Sequence, residues 1–125
     1  MANKLANVRT VLVADDFEEM RSTLRLWLEA RGYRVVEAND GEKAIEVARS
    51  ERPDLIFMDI GMPERSGISS TYKILKDPEL NRIPIVALSA YADTLYAEAL
   101  KAGCVECLSK PINTEELDEL LSNLL

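Results

Sequence analysis

Apolar residues in this chain come in two alternating patterns. Short unbroken runs, of the length and composition of buried strands, are followed by stretches in which the apolar positions recur three and four residues apart, the spacing of one helix face. Val8–Ala14 is the first strand, built on Val11-Leu12-Val13-Ala14. Phe17–Arg31 is the first helix, with Phe17, Met20, Leu24, Trp27 and Leu28 in helical register and Gly32 placed to close it. Tyr33–Ala38 is the second strand, Asn39-Asp40-Gly41 a turn, and Gly41–Ser50 a short helix carrying Ala44, Ile45, Val47 and Ala48. Pro53 breaks the chain before a third strand, Asp54–Asp59.

The second half repeats the alternation. Gly61-Met62-Pro63 is a loop, Gly67 begins or precedes a third helix with Ile68, Tyr72, Ile74 and Leu75, and Asp77-Pro78 ends it, since the residue before proline disfavours helical geometry. Pro84–Leu88 is the fourth strand, Ala92–Ala102 the fourth helix, stopped by Gly103, and Val105–Leu108 the fifth strand. Asn113–Leu124 is the last helix, with Asn113 and Glu116 spaced as a capping box and Leu117, Leu120, Leu121 and Leu124 as its stripe. Five strands alternating with five helices predict a parallel α/β sheet covered on both faces, joined by right-handed crossovers.

The informative polar residues stand where the strands stop. Asp15 and Asp16 follow the first, Asp59 ends the third, Ser89 follows the fourth, and Lys110 follows the fifth, directly before Pro111. Ligands in open α/β sheets bind outside the carboxyl ends of the strands, so these groups gather in one crevice. Three clustered carboxylates repel, and a hard divalent cation with oxygen ligands relieves that repulsion. Mg²⁺ fits, with Mn²⁺ as an alternative. Asp59 is then placed as a nucleophile that forms an aspartyl phosphate. Lys110 offers a point charge to phosphoryl oxygens, and the Ser89 hydroxyl and the backbone amides after Asp59 and Ser89 offer donors. Each residue alone reads more readily as a helix cap, a turn residue or a solvated surface group; the conjunction carries the functional reading.

Length and composition narrow the classes. The chain has 125 residues, 47% of them hydrophobic, which is one domain with a sizeable core spanning about 8–124. A net charge of −7 argues against a nucleic-acid footprint. No stretch approaches the roughly 18 apolar residues of a membrane span, and the first seven residues are too polar for a secretory leader, so a cytoplasmic protein is the default. The last helix runs to the end of the sequence, so no output domain is expected. Cys104 and Cys107 have C-x-x-C spacing and there is no histidine. On one strand they would point to opposite faces, beyond disulfide reach, and zinc would lack further ligands; the expected role is packing.

Four motifs together resemble the receiver domain of two-component response regulators, over roughly Arg9 to Leu124. They are Val13-Ala14-Asp15-Asp16-Phe17, Met58-Asp59-Ile60-Gly61-Met62-Pro63 with Gly67, Leu88-Ser89-Ala90, and Ser109-Lys110-Pro111. Their spacing, 43 residues from Asp16 to Asp59, 30 to Ser89 and 21 to Lys110, makes the set specific. The resemblance implies a stand-alone receiver with strand order 2-1-3-4-5, an order for which a receiver protein is a standing example. It implies that Asp59 accepts a phosphoryl group from a phosphohistidine on a histidine kinase or histidine phosphotransfer protein. It also implies that Asp16, Asp59 and the Gly61 carbonyl bind the metal, Asp15 through water, that Lys110 pairs with the phosphoryl group, and that Ser89 is the switch hydroxyl. Contacts near Met20, Asp16 and Pro111 would be the docking face, and the fourth and fifth helices the output surface toward an unknown protein target, with no nucleic-acid or membrane partner and a monomer or weak dimer as assembly. Leu26 is expected as an isolated exposed apolar residue.

One position departs from the family. Three residues before the lysine it usually has Tyr or Phe, and here stands Cys107. Without that ring, output is expected to rely on the Ser89–Ala92 loop and the fourth helix, with Tyr91 moving instead. Gly61 and Tyr91 would flank the water that attacks the phosphoryl group. The competing readings are a docking module that never uses phosphate, which the complete residue set disfavours, and an aspartate-nucleophile phosphatase, which would need an acid where Gly61 stands. Nucleotide-binding glycine motifs are missing from the sequence.

Overall fold

The computed structural model describes residues 8–90 and 92–125; the expectation about the first seven residues therefore lies outside the described residues. Strands β1 (Thr10–Ala14), β2 (Arg34–Ala38), β3 (Leu55–Asp59), β4 (Ile85–Ser89) and β5 (Glu106–Ser109) alternate with helices α1 (Glu18–Ala30), α2 (Gly41–Glu51), α3 (Ser66–Lys76), α4 (Ala92–Ala102) and α5 (Thr114–Leu124). A short 3₁₀ turn, Pro63–Arg65, leads into α3. The strands form one parallel sheet in the order β2-β1-β3-β4-β5, as the sequence pattern and the resemblance lead one to expect.

The two-residue pleat sorts the apolar runs into two layers. Leu12, Ala14, Ile56, Met58, Ile85, Ala87 and Cys107 face α2, α3 and α4. Val11, Val13, Leu55, Phe57, Val86, Leu88 and Leu108 face α1 and α5, against Leu24, Leu28, Leu117 and Leu121. This is why the central strands are apolar on both faces and show no alternation in sequence.

The helix ends follow from single residues. Asp40 caps α2 by accepting from Lys43 N at 2.7 Å, and Asn113 caps α5 by accepting from Glu116 N at 3.0 Å. Gly32 and Gly103 close α1 and α4 at φ of 91° and 112°, a left-handed region that costs glycine nothing. Leu26 is exposed, as expected. The Lys110–Pro111 peptide is cis.

All five strands start later than the pattern, β1 by two residues and the others by one, and β4 and β5 also end one residue later. β4 begins at Ile85 rather than Pro84, whose ring nitrogen has no proton for the ladder, and it continues through Ser89, whose carbonyl accepts from Lys110 N at 3.0 Å. β5 begins at Glu106 rather than Val105, because Cys104 still belongs to the closure of α4, its N–H bonding the Ala99 carbonyl at 3.1 Å. The expectation that both cysteines lie on one strand and face opposite ways is therefore wrong. Strand alternation does not extend to Cys104, and both free thiols are buried in the α2–α4 layer. Their packing role stands. Burial pushes the Cys104 thiol up to about 11, so it stays protonated at neutral pH.

Candidate functional site

The register of the central strands builds the site. β1 and β3 pair through Ala14 and Met58, so one residue further on Asp15 comes beside Asp59 at the carboxyl edge. Asp15 is buried, with its Oδ1 accepting from Phe17 N at 2.9 Å, which turns the chain into α1. Asp59 is buried as well, with its Oδ1 accepting from Gly61 N at 2.8 Å. Asp16 stands exposed at the rim. Carboxylate oxygens of Asp15, Asp16 and Asp59 all lie within 4.8 Å of one another.

Lys110 crosses from the end of β5 into this cluster. Its Nζ is 2.9 Å from Asp15 Oδ2 and 3.2 Å from Asp59 Oδ2, with the side chain only 16% exposed. Ser89 is fully buried at the end of β4, and the Lys110 amide bonds its carbonyl, so hydroxyl and ammonium are tied to adjacent strand ends. By the pleat, Ser89 falls with Ala87 on the α2–α4 side of the sheet. All five residues singled out by sequence reach the same sheet edge. Tyr91 lies outside the described residues.

The electrostatics match this crowding. Burial raises the Asp59 carboxyl above its ordinary value; the Gly61 N–H and the Lys110 charge pull it back, while Asp15 pushes it further up. Burial alone would lower the Lys110 ammonium, but its hydrogen bond to Asp15 and the charges of Asp59 and Asp15 outweigh burial and hold it above the usual lysine value.

Because folded Asp59 keeps its proton longer than the unfolded chain, stability falls as pH rises from about 4 through the raised value, and the cost persists at neutral pH. Asp59→Asn removes that cost while Lys110 keeps Asp15 at 2.9 Å. In EDTA at pH 7 the variant is expected to melt a few degrees above the parent in differential scanning calorimetry. A lower melting temperature would show that the Lys110 pair outweighs the desolvation.

The donor set suits a hard divalent cation: three carboxylates each offer an oxygen within 4.8 Å of the others, and among the described residues no cysteine or histidine joins the cluster. Arg21 was not legible in the sequence. Its Nη1 donates to the Asp15 carbonyl at 2.9 Å and its Nε to Glu37 Oε1 on β2 at 3.2 Å. No local spacing signals a contact between a helix arginine and a residue 16 positions away on another strand. Among the described residues no helix is long and apolar enough to cross a membrane.

Comparison with known proteins gives a consistent picture. The family description "Response regulator receiver domain" matches residues 11–122. The polar-differentiation response regulator DivK of Brucella anthropi is 36% identical over 118 residues, covering 94% of this chain and 96% of that protein. The receiver domain of a Pseudomonas aeruginosa sensor histidine kinase, solved with a magnesium ion coordinated in its active-site cleft, superposes with a TM-score of 0.86 at 32% identity, covering 94% and 97% of the two chains. The response regulator TrrA of Thermotoga maritima, in complex with Mg²⁺ and BeF, gives 0.84 at 30% identity, covering 94% and 100%.

Proposed function

The chain belongs to the response regulator receiver family, and from that membership we propose that Asp59 is its phosphoacceptor and Lys110 and Ser89 its assisting groups. A receiver is a phosphorylation-dependent signalling switch of two-component systems, not a classical enzyme, and we assign a single receiver domain to the whole chain. The observation that carries it is the convergence of Asp15, Asp16 and Asp59 within 4.8 Å under the Lys110 ammonium.

In this reading an Asp59 oxygen attacks the phosphorus of a phosphohistidine on a histidine kinase or phosphotransfer protein. The new O–P bond forms as the P–N bond breaks, and the imidazole nitrogen leaves with the bonding pair and takes a proton from solvent. Lys110, already within 3.2 Å of Asp59, stays within reach of the oxygens that arrive there, and Ser89 donates to another. Asp16, Asp59, the Gly61 carbonyl and, through water, Asp15 would hold Mg²⁺. Bound there, the ion neutralises the clustered carboxylates and shares the charge of the transferred group. Loss of the phosphoryl group follows by water attack at the same phosphorus.

Docking of the donor fits an apolar groove of about 190 Å³ between α1 and the loop after β5, lined by Met20, Leu24, Trp27, Pro111, Ile112 and Leu117. Its lining comes from the two segments that follow Asp16 and Lys110 in the chain. Output runs through α4, β5 and α5. The Glu106 carboxylate of β5, one residue before Cys107, raises the Tyr96 hydroxyl of α4 above its ordinary value, and Tyr96, Leu100 and Val105 are exposed on that side. With a thiol where the family has a ring, this surface link takes the place of an inward-turning aromatic. The chain acts in the cytoplasm.

The test is incubation with acetyl phosphate and Mg²⁺, followed by intact mass. The expected result is one added phosphoryl group, missing in Asp59→Asn and in EDTA. A folded protein that gains nothing would favour the phosphate-independent docking module.

A further inference from the structure

Asp16 is the least supported member of the acidic cluster. Both oxygens of Asp15 are held, by Phe17 N at 2.9 Å and Lys110 Nζ at 2.9 Å, and both oxygens of Asp59 are held, by Gly61 N at 2.8 Å and Lys110 Nζ at 3.2 Å. The Asp16 side chain is exposed and has no hydrogen bond or ion pair among the described residues. It stays within 4.8 Å of the other two acids because its backbone is held there.

What holds that backbone is the peptide joining Asp15 to Asp16. The peptide is planar, so pinning the Asp15 carbonyl oxygen also sets the plane from which the Asp16 Cα departs. The oxygen accepts from Arg21 Nη1 at 2.9 Å, and Arg21 is itself braced by Glu37 Oε1 at its Nε, 3.2 Å away, with a side chain 16% exposed. On the other side, Asp15 N donates to the Ala38 carbonyl at 3.1 Å. The whole turn is thus hung from β2, once through the sheet and once through Arg21. A guanidinium does this because its donors, spread over separate nitrogens in one rigid plane, engage a carboxylate and a carbonyl in fixed geometry; an ammonium carries all its donors on one nitrogen at the end of a flexible stem.

We propose that Arg21, braced by Glu37, is a positioning residue for the divalent-cation site, fixing the Asp15–Asp16 peptide and through it the ligand oxygen of Asp16. The proposal rests on the reading of the acids as a Mg²⁺ site. Arg25 supplies an internal control. It shares Glu37, with Nε 3.5 Å from Oε2, and its Nη1 donates to Glu29, so it belongs to the same ionic cluster without bonding the Asp15 carbonyl.

The experiment is calorimetric titration of Mg²⁺ into the full chain and its variants, alongside melting temperatures in EDTA. Removing an outer partner of a metal ligand typically weakens binding by about 10–100-fold, and Arg21→Ala is expected to weaken Mg²⁺ at least roughly tenfold. Arg21→Lys weakens it as well, Glu37→Gln does so by a smaller factor, and Arg25→Ala leaves it at the parental value. With acetyl phosphate, the Mg²⁺ concentration for half-maximal rate rises in Arg21→Ala by the same factor, while the rate at saturating Mg²⁺ returns near the parent. An ion pair that merely ties α1 to β2 would change the melting temperature and leave the Mg²⁺ dependence alone. The proposal is overturned if Arg21→Ala binds Mg²⁺ like the parent, or if Arg21→Lys does, whatever their melting temperatures. If either variant at Arg21 is unfolded, Glu37→Gln decides: parental Mg²⁺ affinity overturns the proposal. A parent chain that binds no Mg²⁺ sinks the underlying reading of the acids instead, and this one with it.

Discussion

Gly67→Ala is expected to lower the melting temperature by roughly 10 °C and to slow phosphorylation of Asp59 about a hundredfold. A Cβ at Gly67 falls inside the envelope of the Asp59 carbonyl oxygen and 2.9 Å from both the Asp59 carbonyl carbon and Ile60 Cα. These are backbone atoms, so no side-chain rotation makes room. Nor can α3 retreat sideways. At Gly41 the start of α2 is already pressed against α3, where an added Cβ would sit 2.9 Å from the Ser66 carbonyl carbon and overlap Ser70 Oγ. Helix α3 is therefore clamped between β3 and α2, and a methyl group must move either the helix or the end of β3. Overpacking of this kind costs about 3 kcal/mol when the obstructing atoms are rigid. The segment that moves carries Asp59 itself, and an error near 1 Å in a reacting group costs on the order of a hundredfold in rate. Calorimetry and the acetyl phosphate mass assay check both parts. A variant with parental melting temperature and rate would mean that the loop from Asp59 to Gly67 yields freely.

Lys110→Ala is expected to reduce the initial rate of phosphorylation by about two to three orders of magnitude, the loss typical of removing a preorganised charge from a reacting oxyanion. Two causes act together. Phosphoryl oxygens lose the ammonium that stands 3.2 Å from Asp59, and the nucleophile itself becomes harder to ionise. Lysine is one of the influences that pull the raised Asp59 carboxyl back down, whereas Asp15 pushes it up. Without Lys110 the folded protein holds the Asp59 proton to higher pH, so the residual rate climbs with pH across a window above the parent's. Lys110→Arg is not a substitute, since the bulkier planar guanidinium does not put its charge where the compact ammonium sits between Asp15 and Asp59. Stopped-flow or mass-resolved kinetics from pH 5 to 9 read both effects. A parental rate in Lys110→Ala would remove the lysine from the chemistry.

Much of this was legible in the sequence because the signals are local. Glycines after helices, Asn113 before α5 and apolar runs of strand length each act within a few residues, and they place the elements to within a residue or two. The errors fell where the tertiary structure overrides a local signal. Val105 reads as strand and its N–H reaches the Ile85 carbonyl of β4 at 2.8 Å, but the regular ladder begins only at Glu106, directly after the closure of α4 at Gly103 and Cys104. The same closure puts Cys104 and Cys107 in one core layer rather than on opposite faces. Arg21 and Glu37 carried no signal at all, since their contact depends on β2 pairing beside β1.

The sequence alone determined which chemical groups end the strands and how many residues separate them, because side-chain identity and the alternating periodicities are properties of neighbouring positions. The tertiary structure decided what those groups do to one another. Only the parallel register of β1 and β3 brings Asp15 beside Asp59, and only the position of β5, two strands from β3 and three from β1, lets Lys110 reach both. Charge interactions depend on distances of a few ångströms and on exclusion of water, and a linear order of residues contains neither until the sheet has closed around it.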